Sequence, residues 1–206
     1  MVPQSNSDRR ATLLAHNAGV WEGTFVRLEG QPGGEAVEVE RFASRLLVED
    51  RGGMVEADLT NVSSGHVRSM RFADPPAEMQ ITAAGHWSLG PDRIGAWPWV
   101  CELCLAGGER RRRAVVRLDG ARLISLVVVI EARPGLADPP PAPPWRLPAI
   151  QAAGGLVWRP TSDLEVHVAP ARVELVWQSQ PGQSCRLRRS YSDFGLLSPL
   201  DAPSGP

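Results

Sequence analysis

The sequence predicts an all-β fold: a single antiparallel β-barrel, preceded by a short helix and interrupted by a long Pro-rich loop. Three observations predict it. From Trp21 onward, helical periodicity gives way to short alternating or β-branched runs separated by Gly, Pro, Asn and Asp, which is the pattern of strands and turns. Turn signals recur at Ala106-Gly107-Gly108-Glu109, Asp119-Gly120 and Gln180-Pro181-Gly182-Gln183; Asp-Gly is the strongest, because a two-residue type I′ turn needs positive φ at both central positions. No strand-helix-strand alternation occurs, so the connections are local and the pairing antiparallel.

The elements follow in order. Ser7 or Asp8 can cap a short helix running to about Asn17, with Gly19 placed to end it. Strands are expected near 21–29, 36–49, 53–60, 66–73, 78–82, 85–89, 98–106, 110–118, 122–133, 155–159, 164–168, 172–179 and 184–191. The three from Val100 to Arg133 should form a meander. Residues 134–148 hold seven prolines around Trp145 and cannot form a central strand, because proline supplies no ladder donor. A separate unit of residues 149–206 would be marginal alone, so the expected organisation is an N-terminal segment 1–20, one barrel 21–195 containing the 134–148 loop, and a flexible tail 196–206.

Composition narrows the function classes. Apolar residues make up 43% and charged residues 22%, with a formal net charge of -1, so no global field draws in nucleic acid. All 22 basic residues are Arg, which removes Schiff-base lysines and phosphate-loop lysines. Arg9-Arg10 is not followed by an apolar core of export-signal length, and the most apolar run, Leu123 to Ile130, falls far short of the roughly 20 residues of a membrane span. A cytoplasmic location and no membrane span are expected. Three cysteines fit reduced thiols better than a disulfide framework.

No catalytic or metal constellation is visible. Cys101 and Cys104 have redox-motif spacing, but in a strand positions i and i+3 face opposite ways, about 10 Å apart, so both are expected to be buried structural thiols. His16, His66, His86 and His167 are scattered, and no serine-nucleophile signature occurs. Arg110-Arg111-Arg112-Arg113 alternates faces on its strand and is expected to be a solvated strand end. Asp193-Phe194-Gly195 matches a kinase tripeptide by letters only.

Seven Trp against one Tyr and four Phe is a pronounced bias. Most should fill the core. Trp97, Trp99 and Trp145 lie in or beside Pro-rich segments, where loops at a barrel mouth would offer them, with Trp87, to a flat ligand. Strand one places Trp21, Gly23, Phe25 and Arg27 on one face; Gly23 leaves room for a crossing strand or ring. In the last strand Cys185, Leu187, Arg189 and Tyr191 share an apolar-looking face. Arg189, or failing that Arg188, is expected to point inward, hydrogen-bonded to carbonyls and stacked on Trp21, so that first and last strands close the barrel.

An opening Trp near a Gly after a short helix, with an Arg from the final strand, resembles the calycin superfamily, which includes the lipocalins. Trp21-Glu22-Gly23-Thr24-Phe25-Val26-Arg27, Val100 to Leu105, Arg112 to Gly120 and Arg186 to Tyr191 are similar to a lipocalin-like domain of unknown function found in cyanobacteria and plastids, related in fold to the phycobiliprotein chromophore lyases. The resemblance implies a cavity for a hydrophobic or linear tetrapyrrole ligand, with acidic groups meeting pyrrole nitrogens and Arg meeting propionates. Inward candidates are Arg45, Glu56, Asp58, Arg68, Glu102 and Arg117. A phycobiliprotein or another acceptor protein would then be a partner. The chain departs from the lyases in its N-terminal motif and Pro-rich insertion. Three functions are carried forward: a carrier or lyase-like chaperone for a small conjugated ligand; a non-catalytic assembly protein docking a partner through its Pro/Trp-rich loops; and an isomerase- or lyase-type enzyme.

Overall fold

The computed structural model describes residues 5–152, 154–180 and 182–200. Among these residues one helix and fifteen strands succeed one another: α1 (Asn6–Asn17), β1 (Gly19–Gly30), β2 (Ala36–Arg51), β3 (Met54–Asn61), β4 (Val67–Phe72), β5 (Gln80–Ile81), β6 (Trp87–Leu89), β7 (Trp99–Gly107), β8 (Arg110–Asp119), β9 (Arg122–Ala132), β10 (Arg146–Leu147), β11 (Ile150–Ala152), β12 (Gly155–Thr161), β13 (Leu164–Ala169), β14 (Arg172–Gln180) and β15 (Gln183–Ser190). All strand pairings among the described residues are antiparallel. Every strand expected from sequence is present; β10 and β11 are additional. β10 adds two residues to the end of β2, at Val37 and Ala36, which is as much ladder as the surrounding prolines allow.

The strands form two sheets. The larger runs β4-β3-β2-β1-β9-β8-β7-β6-β5 with β10 on β2, and the smaller is the meander β11-β12-β13-β14-β15. The larger sheet is an open half-barrel, which corrects the expected closed barrel. β1 pairs with β2 on one edge and β9 on the other, leaving no edge for β15, which ends the second sheet beside β14. β9 wins this position because it is apolar on both faces: Leu126, Val128 and Ile130 turn one way, Val127 and Val129 the other. A strand of that kind is most stable with both edges paired and both faces covered. Gly23 permits the approach, since a Cβ there would lie 2.0 Å from the Ile130 carbonyl oxygen.

The core lies between the sheets. Val26, Leu28, Leu103, Leu105, Val116 and Leu126 of the half-barrel pack against Trp158, Leu164, Val166, Leu175, Trp177 and Leu187 of the second sheet. Helix α1 begins at a capping box formed by Ser5 and Asp8, two residues earlier than Ser7, and ends at Asn17. It covers one end of the other face of the half-barrel, where Leu14 packs on Trp21, Leu46 and Val55 and Leu13 on Met79 and Ile81. Residues 196–200, expected as tail, are tied in: Leu197 bridges Tyr191, and the Gln80 side-chain amide donates to the Ser198 carbonyl at 2.7 Å. The rest of the expected tail, 201–206, lies outside the described residues. None of the described helices is long and apolar enough to cross a membrane.

A groove on the inner face of the half-barrel

Strand alternation builds this face in layers. The outer layer holds Phe25 and Arg27 of β1, Phe42 and Glu40 of β2, Leu59 of β3, Arg68 of β4, Val100 of β7, Val115 and Arg117 of β8 and Val127 of β9, and these line one groove of about 510 Å³. Seven strands contribute to one groove only because the sheet curls. Phe25 and Phe42 are register partners, and their rings stack with centroids 4.5 Å apart and planes 16° from parallel.

The next layers close the groove at the α1 end. Arg113 reaches Glu102 at 2.8 Å and Glu131 at 3.0 Å; Arg111 reaches Glu131 at 2.9 Å. Burial alone would raise Glu131, but the two guanidinium groups outweigh it and hold the carboxyl below its ordinary range. Trp21 is fully buried. Its indole N–H donates to the Asn17 carbonyl at 2.9 Å, and its ring lies between Arg133, 3.8 Å from the centroid, and Arg111, at 4.4 Å. Asn17 ties helix to sheet: its side-chain oxygen accepts from the Trp87 indole at 3.2 Å and from Arg111 at 3.4 Å, while its amide donates to Leu13 and Gly85 carbonyls.

The arginine over Trp21 therefore comes from β8 and the end of β9. Arg188 instead meets Glu174 at 3.2 Å. Arg189 is inward and fully buried as expected, but its partners are the carbonyls of Glu78, Gly90 and Pro91, the Ser88 hydroxyl and the Tyr191 hydroxyl. It fastens the second sheet to the half-barrel. The run at 110–113 is also not a solvated strand end: only Arg110 is exposed, and Arg112 spans Asp138 at 2.7 Å and Asp163 at 3.4 Å over the Trp177 ring.

The remaining candidates are dispersed. Arg68 lines the groove; Glu102 and Trp87 belong to its closed end; Arg45 lies on the opposite face of β2, since its neighbours Ser44 and Leu46 share the face of Gly23 and Trp21. Glu56 is held by Arg51 and Arg71. Trp145 is buried, its indole donating to Pro141 and its backbone N–H to Glu38, with Arg41 over the ring at 4.8 Å. Trp99 is buried against Tyr191 at 5.4 Å, edge to face, whereas Trp97 is 51% exposed beside a separate open cleft with Phe194. Sequence alone did not single out Phe42 as a lining residue; its signal was its place on a long strand that could pair with Phe25, which needs the register to be known.

Reactive chemistry is sparse. Cys101 and Cys104 are buried on opposite faces, and burial pushes both thiols up to about 12, so neither is a nucleophile at neutral pH. Burial and the nearby His16 pull His86 below its ordinary value; its Nδ1 accepts the Ala106 N–H at 3.2 Å. Among the described residues no group of three or more metal-ligating side chains converges.

These features define a class: a mostly antiparallel β protein whose curled sheet keeps an accessible inner face, backed by a second sheet. A protein of unknown function from the DUF3598 family of Nostoc punctiforme PCC 73102 has this fold. Its crystal structure matches with a TM-score of 0.68 and 17% sequence identity, covering 95% of this chain and 96% of that one. The likeness is one of fold. No protein-family model matches the sequence, and no curated protein matches it significantly.

Proposed function

We propose that this chain is a small-molecule binding protein that takes an apolar, conjugated ligand in the groove on the inner face of its half-barrel. The observation that carries the reading is the stacked Phe25–Phe42 pair within a groove of about 510 Å³ walled by Val100, Val115 and Val127. A volume of that size suits a ligand of a few hundred daltons, and the stacked aromatic pair favours a flat molecule, with Asn61, His66 and Ser125 among the polar groups that also line the groove. The second sheet carries the packing load behind β1, β9, β8 and β7, so the inner face need not be filled for the fold to stand. The sequence resemblance adds a linear tetrapyrrole as one candidate ligand, handed on to an acceptor protein.

The reading is tested by titrating the full chain with biliverdin, retinol and palmitate, following the absorption band of the pigments and NMR shifts of groove residues for the fatty acid. Saturable binding by one of them, weakened about tenfold or more by Phe42→Ala at unchanged melting temperature, is the expected result. Absence of saturable binding for all three overturns it.

A further inference from the structure

The strand β4 ends the larger sheet: β3 pairs with one of its edges, and no described strand pairs with the other. The direction of its backbone groups follows from one hydrogen bond and the register. The Asn61 N–H donates to the His66 carbonyl at 2.9 Å, and the next pairs along are Thr60 with Val67 and Leu59 with Arg68. Hydrogen-bonded and non-bonded pairs alternate along an antiparallel ladder. Arg68, Met70 and Phe72 therefore bond to β3, while Val67, Ser69 and Arg71 turn their N–H and C=O groups away from it. Such a row is a template for one more strand, and edges of this kind are ordinarily blunted by proline, by a bulge, by brevity or by a covering loop. β4 contains no proline, keeps an unbroken register with β3 over its six residues, and is exposed from Val67 to Arg71. By contrast β5 and β11, which also end their sheets, have two and three residues. The end of β15 is covered where the Ser198 N–H donates to the Ser190 carbonyl at 2.9 Å.

Side chains set the chemistry of the partner. From His66 to Phe72 the sequence is His-Val-Arg-Ser-Met-Arg-Phe, without an acid. Alternation places Arg68 and Met70 on the inner face with Leu59, and Val67, Ser69 and Arg71 on the outer one. Arg71 meets Glu56 at 3.2 Å, so its charge is already answered. No ion pair among the described residues uses Arg68. Glu40, the one carboxylate among the residues lining the groove beside it, stands two strands away on β2, opposite Arg27. Like charge argues against a second copy as the added strand, since β4 against β4 would set four arginines on one six-residue ladder. A strand with carboxylates on its inner face gains cross-strand pairing with Arg68, and apolar residues on its outer face meet exposed Val67. We propose that the free edge of β4 takes an extended acidic segment of a partner protein as one further antiparallel or parallel strand, its backbone on Val67, Ser69 and Arg71 and a carboxylate beside Arg68.

The probe is the peptide Thr-Glu-Val-Glu-Val-Glu-Thr, capped at both ends, labelled with tetramethylrhodamine and followed by fluorescence anisotropy against the full chain. Saturable binding is expected, weakened by added salt, with the peptide carrying Lys in place of Glu bound about tenfold or more weakly. Methylating backbone nitrogens of the peptide separates a ladder from a charge contact. Amides alternate in direction along a strand, so of two peptides, one methylated at its glutamate amides and one at its valine amides, one should fail to bind and the other bind as the parent does. Ser69→Pro removes an outward donor at an edge position that accepts proline. It should weaken the peptide about tenfold or more, with melting temperature and near-ultraviolet circular dichroism unchanged. The methylated peptides test the same ladder without altering the protein. Absence of saturable binding, an equal response to the two methylations, or equal affinity for the lysine peptide overturns the proposal. A concentration-dependent dimer in sedimentation, abolished by Ser69→Pro, also overturns it, because the occupant of the edge would then be a second copy.

Discussion

Glu131 is the residue on which the closed end of the inner face depends. It is fully buried and shared by Arg111 and Arg113, and Arg111 in turn lies over Trp21. Removing its charge leaves buried Arg111 without a carboxylate and Arg113 with Glu102 alone. Glu131→Gln is expected to cost about 3 to 5 kcal/mol in urea unfolding, with ligand binding retained in the folded fraction. The pH dependence has a definite sign. Because the folded carboxyl lies below the ordinary value of 4.5, Glu131 contributes stability that is fully present above 4.5 and lost as pH falls through the folded value. The parent protein should therefore lose stability in that acid window, and Glu131→Gln should lose less of it; equal slopes in acid titrations of the two proteins would sink the assignment.

At the scale of elements, β15 is the informative one. It was expected to pair with β1 and instead ends the second sheet, yet it does close the molecule, through a side chain. Arg189 reaches from β15 to the segment around β6, where the carbonyls of Glu78, Gly90 and Pro91 accept from its guanidinium at 2.8 to 2.9 Å. A buried cation solvated by carbonyls needs no carboxylate, but those carbonyls need the cation. Arg189→Met keeps the bulk and removes the donors. It should cost about 3 kcal/mol and raise amide hydrogen exchange of β6 and β7 relative to β8 and β9; uniform exchange across these four strands would show that Arg189 is not the fastening.

For the whole molecule, the question is whether two sheets mean two folding units. The main core draws on both: Trp158, Val166, Leu175 and Leu187 have no partner layer without β1, β7, β8 and β9. Arg112 adds a polar tie to Asp163 at the turn between β12 and β13. Urea unfolding is accordingly expected to be one transition, superimposable by tryptophan fluorescence and far-ultraviolet circular dichroism. Residues 149–206 expressed alone should lack cooperative unfolding, since that piece would expose its apolar face to water. Two separated transitions would instead mark the sheets as independent.

The sequence by itself determined the strands, because alternation, β-branched runs and turn residues act over a few residues. Asp119-Gly120 and the Val100 to Arg133 meander appear where they were expected, and so do the buried, opposed cysteines and the inward Arg189. It also put Trp21, Gly23, Phe25 and Arg27 on one face. What only the tertiary structure decided was partnership between distant segments. β1 took β9 and not β15 because the run Leu126 to Ile130, apolar on both faces, is best buried in the middle of a sheet, a competition among strands that no local window contains. The same long-range choice buried Arg111 and Arg113 on Glu131, withdrew Trp145 from solvent, and brought Arg68 and Arg117 into the lining of one groove. Periodicity fixes which way a side chain faces along its own strand; the curl of the sheet, a sum over many strands, fixes what it faces.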